Sequence, residues 1–140
     1  MPSDYISNAL RKIIATRAHN RCEYCQCSAD FATETFSVEH ILPRSRGGGN
    51  TLENLAWSCM GCNSYKAAKL QATDPLTDEL ALIFHPRQQI WLEHFAWSLD
   101  FSEVIGLTPT GRASIPALKL NRDGVVNLRR LLSQAGKHPP

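Results

Sequence analysis

A chain of 140 residues that is 43% hydrophobic suits one domain with one core, or a small motif with an appendage. No apolar run approaches the roughly 20 residues that cross a bilayer, and Met1-Pro2-Ser3-Asp4 lacks the charged-then-apolar layout of a secretory signal, so neither a membrane partner nor export is expected. The formal net charge of +2 is too small to announce a polyanion ligand, but it is unevenly spread. Residues 1–73 carry 8 Lys+Arg against 6 Asp+Glu, residues 74–103 carry 1 against 6, and residues 104–140 carry 6 against 1. A basic end after an acidic middle suits a phosphate-binding surface or a self-complementary one.

From Ser3 to about Arg17, the residues Ile6, Leu10, Ile13 and Ile14 recur at helical spacing, with Ser3 or Asp4 placed to cap the first turn. Arg11, Lys12 and Arg17 lie towards its end, where they complement the helix dipole or touch phosphate. Cys22-Glu23-Tyr24-Cys25 forms a knuckle, and Cys27 to Asp30 a loop. Thr35 to Ile41 mixes β-branched and aromatic residues in partial alternation, predicting a strand that ends near His40 and Pro43. Gly47-Gly48-Gly49 predicts a flexible loop, because three glycines lose too much conformational entropy in a helix or strand. Asn54 to Ser58 reads as a second short strand, and Cys62 to Leu70 as a helix starting at the second knuckle.

Thr73-Asp74-Pro75 ends that helix, since proline disfavours a helical residue before it, and divides a module at 1–73 from an accessory extension at 74–140. In the extension, Trp91 to Leu99 and Phe101 to Leu107 read as a β-hairpin turning near Asp100. Ser114 to Leu120 and Asp123 to Gln134 read as helices, the second with Val125, Val126, Leu128, Leu131 and Leu132 on an apolar face. His138-Pro139-Pro140 is expected to fray.

Two Cys-x-x-Cys pairs, Cys22/Cys25 and Cys59/Cys62, carry the strongest signal. Thiolates are soft ligands, four of them suit tetrahedral zinc, and a two-residue gap lets both sulfurs of a pair bend back to one ion. A redox Cys-x-x-Cys explains one pair but not two, and the βαβ pattern it requires is absent. Four thiolates leave no open position on the metal, so this zinc is expected to be structural. Cys27 is left over as a buried or idle thiol. Paired cysteines with metal spacing point to a reducing compartment, and hence to the cytoplasm.

Between the knuckles lie Glu39-His40-Ile41-Leu42-Pro43, then Asn54-Leu55, and finally Cys62-Asn63-Ser64-Tyr65-Lys66. Over roughly residues 20 to 70 this arrangement resembles the HNH endonucleases of the four-cysteine, zinc-bound ββα-metal type, with His40, Asn54 and Asn63 as the signature residues. The resemblance implies an α+β fold: a ββα-metal core (HNH, His-Me finger) clamped by a four-cysteine zinc site, with an N-terminal helix and a C-terminal β-hairpin plus helices. It also implies a DNA endonuclease that leaves a 3′-hydroxyl and a 5′-phosphate. Many family members carry aspartate where this chain has Glu39.

Phosphodiester hydrolysis needs a base for water and a cation for the charge that develops on phosphate and leaving oxygen. A neutral imidazole suits the first task, which falls to His40. By resemblance, Glu39 and Asn63 hold one catalytic divalent cation (Mg²⁺, Mn²⁺ or Ni²⁺), and Asn54 braces the loop carrying His40. Adjacent strand residues face opposite ways, so Glu39 and His40 share a site only where the strand ends or bends. Arg44, Arg46 and Lys66 are candidate phosphate contacts. His19, His85 and His94 read as structural or surface residues, and Trp57, Trp91 and Trp97 as core. Two other readings stay open: a non-catalytic zinc module that binds DNA or protein, and a toxin or mobile-element nuclease whose tail meets an immunity or regulatory protein. Oligomeric state and sequence specificity are left open.

Overall fold

The computed structural model describes residues 5–140. Its first element, α1 (Asn8–Arg17), is capped by Ser7, whose Oγ accepts from Leu10 N at 3.1 Å. Ser3 and Asp4, the caps expected from sequence, lie outside the described residues, and the helix starts later than expected. α1 buries Ile14 and packs Leu10 against the core, joined there by Ile6 just before the helix.

Two short antiparallel strands follow, β1 (Ser37–His40) and β2 (Leu55–Ser58), in the register Ser37↔Ser58, Val38↔Trp57, Glu39↔Ala56 and His40↔Leu55. Every residue of β2 is buried. Helix α2 (Met60–Lys66) starts at the second knuckle, where Cys59 Sγ accepts from Cys62 N at 3.4 Å. The segment is thus strand, loop, strand, helix. α2 stops at Lys66 and not near Leu70, because Ala67 takes φ 47°, ψ −127° and turns the chain away.

The turn leads into a hairpin the sequence did not disclose, β3 (Gln71–Thr73) with β4 (Leu80–Leu82). Its outward residues Leu80 and Leu82 are exposed, so hydrophobic alternation marks no buried face. The boundary expected at 73/74 falls at the end of β3, inside this hairpin. Asp74 closes the turn by accepting from Leu76 N and Thr77 Oγ1.

A single helical turn, α3 (Trp91–His94), precedes β5 (Phe95–Trp97), which pairs with β6 (Val104–Gly106). The strand expected from Trp91 therefore begins only at Phe95. Trp91 is turned inward instead, donating from Nε1 to Tyr24 O at 2.9 Å and packing 4.9 Å from both Phe95 and Trp97. Helix α4 (Pro109–Leu118) is capped by Thr108, with proline at its first position. Helix α5 (Asp123–Gln134) covers the expected span. The C-terminus is not frayed at His138: the residue is 6% exposed, its ring donates to Phe101 O and stands edge-on to Trp97, which gives the last residues an anchor.

The result is an α+β chain whose ββα core shares one hydrophobic cluster with the extension. Tyr24, Leu55 and Phe36 pack in continuity with Phe84, Phe95, Leu118, Leu120 and Val125.

Candidate metal centre and active site

The two knuckles bring Cys22, Cys25, Cys59 and Cys62 together, all buried, with every Sγ within 4.8 Å of the others. Cys25 and Cys59 Sγ lie 3.7 Å apart, and a tetrahedral zinc with bonds of about 2.3 Å sets its sulfurs about 3.8 Å from one another. The donor set and its spacing fit zinc, and four thiolates complete its shell. Burial pushes the Cys22 thiol up, while hydrogen bonding from Cys22 and the other thiols holds Cys59 below the ordinary thiol range. Cys27 is buried beside the cluster, outside the four.

The catalytic strip is laid out by strand alternation. Ser37 and Glu39 lie on the face of β1 that α2 covers, and Val38 and His40 on the other. Asn63 Nδ2 donates to Ser37 Oγ at 3.0 Å. One turn later Lys66 Nζ lies 2.7 Å from Glu39 Oε1 and donates to Ile41 O at 2.9 Å. Tyr24 O–H, from within the first knuckle, donates to Glu39 Oε2 at 2.6 Å. Glu39 is 4% exposed, and burial raises its carboxyl above the ordinary value, partly offset by Lys66 and Tyr24. Oε1 has the ammonium beside it but no directed hydrogen bond.

Lys66, expected from sequence as a phosphate contact, is turned inward in the fold. At 1% exposure, with its ammonium spent on Glu39 and Ile41 O, it is an internal counter-charge to the carboxylate.

His40 is the last residue of β1 and is half-buried. Its Nε2 lies 2.7 Å from Asn50 Oδ1, which also accepts from Arg44 Nη1 at 3.2 Å. A guanidinium only donates, so this oxygen is an acceptor and His40 Nε2 is the donor; in the neutral ring the lone pair then lies on Nδ1. The loop between the strands is held by Asn54: Oδ1 accepts from Leu42 N at 2.8 Å, and Nδ2 donates to Leu42 O and Gly49 O at 3.1 and 3.0 Å. Gly48 makes that closure fit, since a Cβ there would stand 1.7 Å from Leu42 O and 2.8 Å from Asn54 Nδ2. Arg46 is exposed on this loop.

The knuckles, the two strands, the braced loop and α2 lie in one continuous segment. Residues 22–75 match the family model described as HNH endonuclease. This segment is similar to the HNH endonucleases. No curated protein and no solved structure gives a significant match to the chain.

The segment brings Asn63, Glu39 and Lys66 to one face of β1, but leaves the His40 ring on the other. Strand pairing stays regular through His40↔Leu55, and the bend comes only afterwards. Sequence reasoning missed Asn50, which orients His40, and Tyr24, which binds Glu39. Asn50 closes the glycine run and Tyr24 sits between ligand cysteines, positions at which turn and ligand chemistry mask a side-chain role. Arg122 was missed as well. It comes from the start of α5 and donates from Nη2 to Cys59 Sγ at 3.3 Å and from Nη1 to Cys62 Sγ at 3.6 Å. Nothing in the sequence around Arg122 links it to cysteines about 60 positions away.

Proposed function

We propose that the chain is a DNA endonuclease that hydrolyses phosphodiester bonds, with His40 as general base and one divalent cation held by Glu39 and Asn63. The observation that carries the reading is the hydrogen bond from His40 Nε2 to Asn50 Oδ1 at the end of β1, in a segment that matches the HNH family model. With Nε2 bonded to Asn50, Nδ1 is the nitrogen that takes a proton from water, and neutral imidazole does so near neutral pH. Asn54 acts as a positioning residue: by bonding Leu42 and Gly49 it holds the loop that carries Arg44, Arg46 and Asn50 against His40. Arg44 and Arg46 would meet the nucleic-acid backbone.

The α2 side of β1 offers hard oxygen ligands that suit Mg²⁺, Mn²⁺ or Ni²⁺. Glu39 Oε1 is buried with no hydrogen bond, and Asn63 bonds Ser37 through Nδ2, keeping its carbonyl oxygen out of that bond. A cation there supplies charge neutralisation for phosphate and leaving oxygen. Glu39 gives it a negative ligand and Tyr24 fixes the carboxylate plane. The cysteine cluster holds zinc as a structural clamp, which fits a reducing, cytoplasmic setting. Among the described residues no helix is long and apolar enough to cross a membrane.

Two observations favour a second reading, a zinc-stabilised module that binds DNA or protein without cutting: the His40 ring lies on the face of β1 opposite Glu39, and a lysine occupies the carboxylate. The Lys66 ammonium already stands against Glu39 Oε1, where the cation would compete with it. An immunity or regulatory protein on the acidic stretch 74–103 fits either reading. The test is a titration of Mg²⁺, Mn²⁺ and Ni²⁺ into zinc-loaded protein with linear and supercoiled DNA, repeated with Glu39→Ala and Asn63→Ala. Metal-dependent cutting that needs a higher cation concentration in both variants supports the nuclease. Tight binding without cutting at any concentration supports the binding module.

A further inference from the structure

The extension places two guanidiniums against the knuckles, with no carboxylate among the described residues paired to either. Arg122 bonds the sulfurs of Cys59 and Cys62, one from each of two terminal nitrogens, and lies 5.7 Å over the Tyr65 ring. Room for it is made by Gly61, inside the second knuckle, where a Cβ would stand 2.5 Å from Arg122 Nη2. Arg129, further along the same helix, is 1% exposed. It donates to Cys25 O and Ser102 O, both at 3.1 Å, and covers the Trp97 ring at 5.3 Å. Among the described residues neither arginine forms an ion pair with an acid, and Arg129 Nε is buried without a partner. An arginine buried without counter-charge is costly, so the missing charge must be supplied from elsewhere.

A divalent ion held by four thiolates supplies it. Such a centre carries two net negative charges, spread over the sulfurs Arg122 touches and close to the Cys25 backbone Arg129 touches. We infer that Arg122 and Arg129 make the extension a charge-matched clasp on the metal knuckles, closing α5 over the loaded centre and slowing loss of its ion. Residues 22–75 thus hold the metal and residues beyond them retain it. The inference rests on the four-cysteine site and not on the nuclease reading.

Arg122→Met keeps the length and apolar stem of the side chain and removes charge and donors. The full-length zinc protein is mixed with excess chromophoric chelator, and the rate of zinc transfer is followed by absorbance. Partners that orient metal ligands typically contribute about 10–100-fold to metal affinity, so Arg122→Met is expected to release zinc about 10-fold faster or more, while Arg130→Met, a control at an exposed arginine of the same helix that pairs with Asp100, matches wild type. A second readout replaces zinc by Co²⁺: the thiolate-to-cobalt absorption bands shift when two N–H···S bonds are lost, and do not shift in the control. If Arg122→Met fails to fold, Arg122→Lys, which keeps the charge but loses the two-nitrogen fork, is read by the same assays, and faster release with shifted bands is again expected. Unchanged zinc release together with unchanged cobalt bands in the variant that folds would overturn the inference, whether or not the protein cuts DNA.

Discussion

Replacing Lys66 by Met is the sharpest perturbation of the module, because it takes one charge out of a pair the fold has shut away from water. Lys66 and Glu39 side chains are 1% and 3% exposed, and the ammonium also satisfies Ile41 O. Methionine fills most of the lysine stem, so little cavity term arises; the loss is electrostatic. Breaking a buried pair from one side costs about 3–5 kcal/mol, including about 1–3 kcal/mol for a carbonyl left unsatisfied. The deficit depends on pH. Burial already raises the folded-state Glu39 carboxyl, and Lys66 is the chief group pulling it back. A raised carboxyl favours the fold below its unfolded value, roughly pH 4.3, and that advantage is lost as pH rises through the folded value. The Lys66→Met deficit should therefore shrink at the acidic end towards the cost of the unsatisfied Ile41 carbonyl alone and reach its full size near neutrality. Urea unfolding of zinc-saturated protein across this range measures it, with Glu39→Gln/Lys66→Met as partner: removing both charges should recover at least about 1.5 kcal/mol of the single-variant loss. A loss under about 1 kcal/mol at neutral pH, or a double variant equal to the sum of the singles, would refute the reasoning.

Asn54→Ala removes three hydrogen bonds that close the loop. At about 1 kcal/mol each it should cost about 2–3 kcal/mol in urea unfolding. Gly48→Ala, whose Cβ would overlap Leu42 O, should perturb the same loop, visible as lost backbone amide protection over 42–50. Ala67→Gly should stabilise the chain by about 1 kcal/mol, since Ala67 holds a backbone conformation that glycine adopts freely; a loss of melting temperature would contradict it. Arg112 bonds Asp74 through two nitrogens and holds its carboxyl down at about 2. A depressed carboxyl stabilises the fold above its unfolded value, about 3.9, and loses that contribution as pH falls through the folded one. Wild type should therefore lose stability between pH about 4 and 2, and Asp74→Asn should show a flatter profile there.

The cysteine pairs were legible because ligand spacing is local chemistry: each knuckle is written in four consecutive residues. The same holds for α5, whose apolar positions repeat over three turns, and for the glycine run. Lys66 was not legible, since a lysine after Asn63 on a short helix reads as solvated, and only the packing of α2 across β1 turns it onto Glu39. The β3–β4 hairpin hid behind Ala67-Ala68-Lys69-Leu70, residues of high helix propensity that the backbone of Ala67 overrides. His138 and Arg122 make contacts 37 and 60 or more positions away, to Phe101 and the knuckle sulfurs, beyond any sequence period. The strand at Thr35 to Ile41 was legible, but not that its regular pairing runs through His40, which decides that His40 and Glu39 face opposite ways.

The central claim is tested most directly by incubating supercoiled plasmid with zinc-loaded wild type and His40→Ala, each with Mg²⁺, Mn²⁺, Ni²⁺ or EDTA. Wild type is expected to nick only with added cation, and His40→Ala not at all, with both proteins folded and zinc retained. Cutting that persists in His40→Ala at the wild-type rate, or no cutting by wild type with any cation, would contradict that claim.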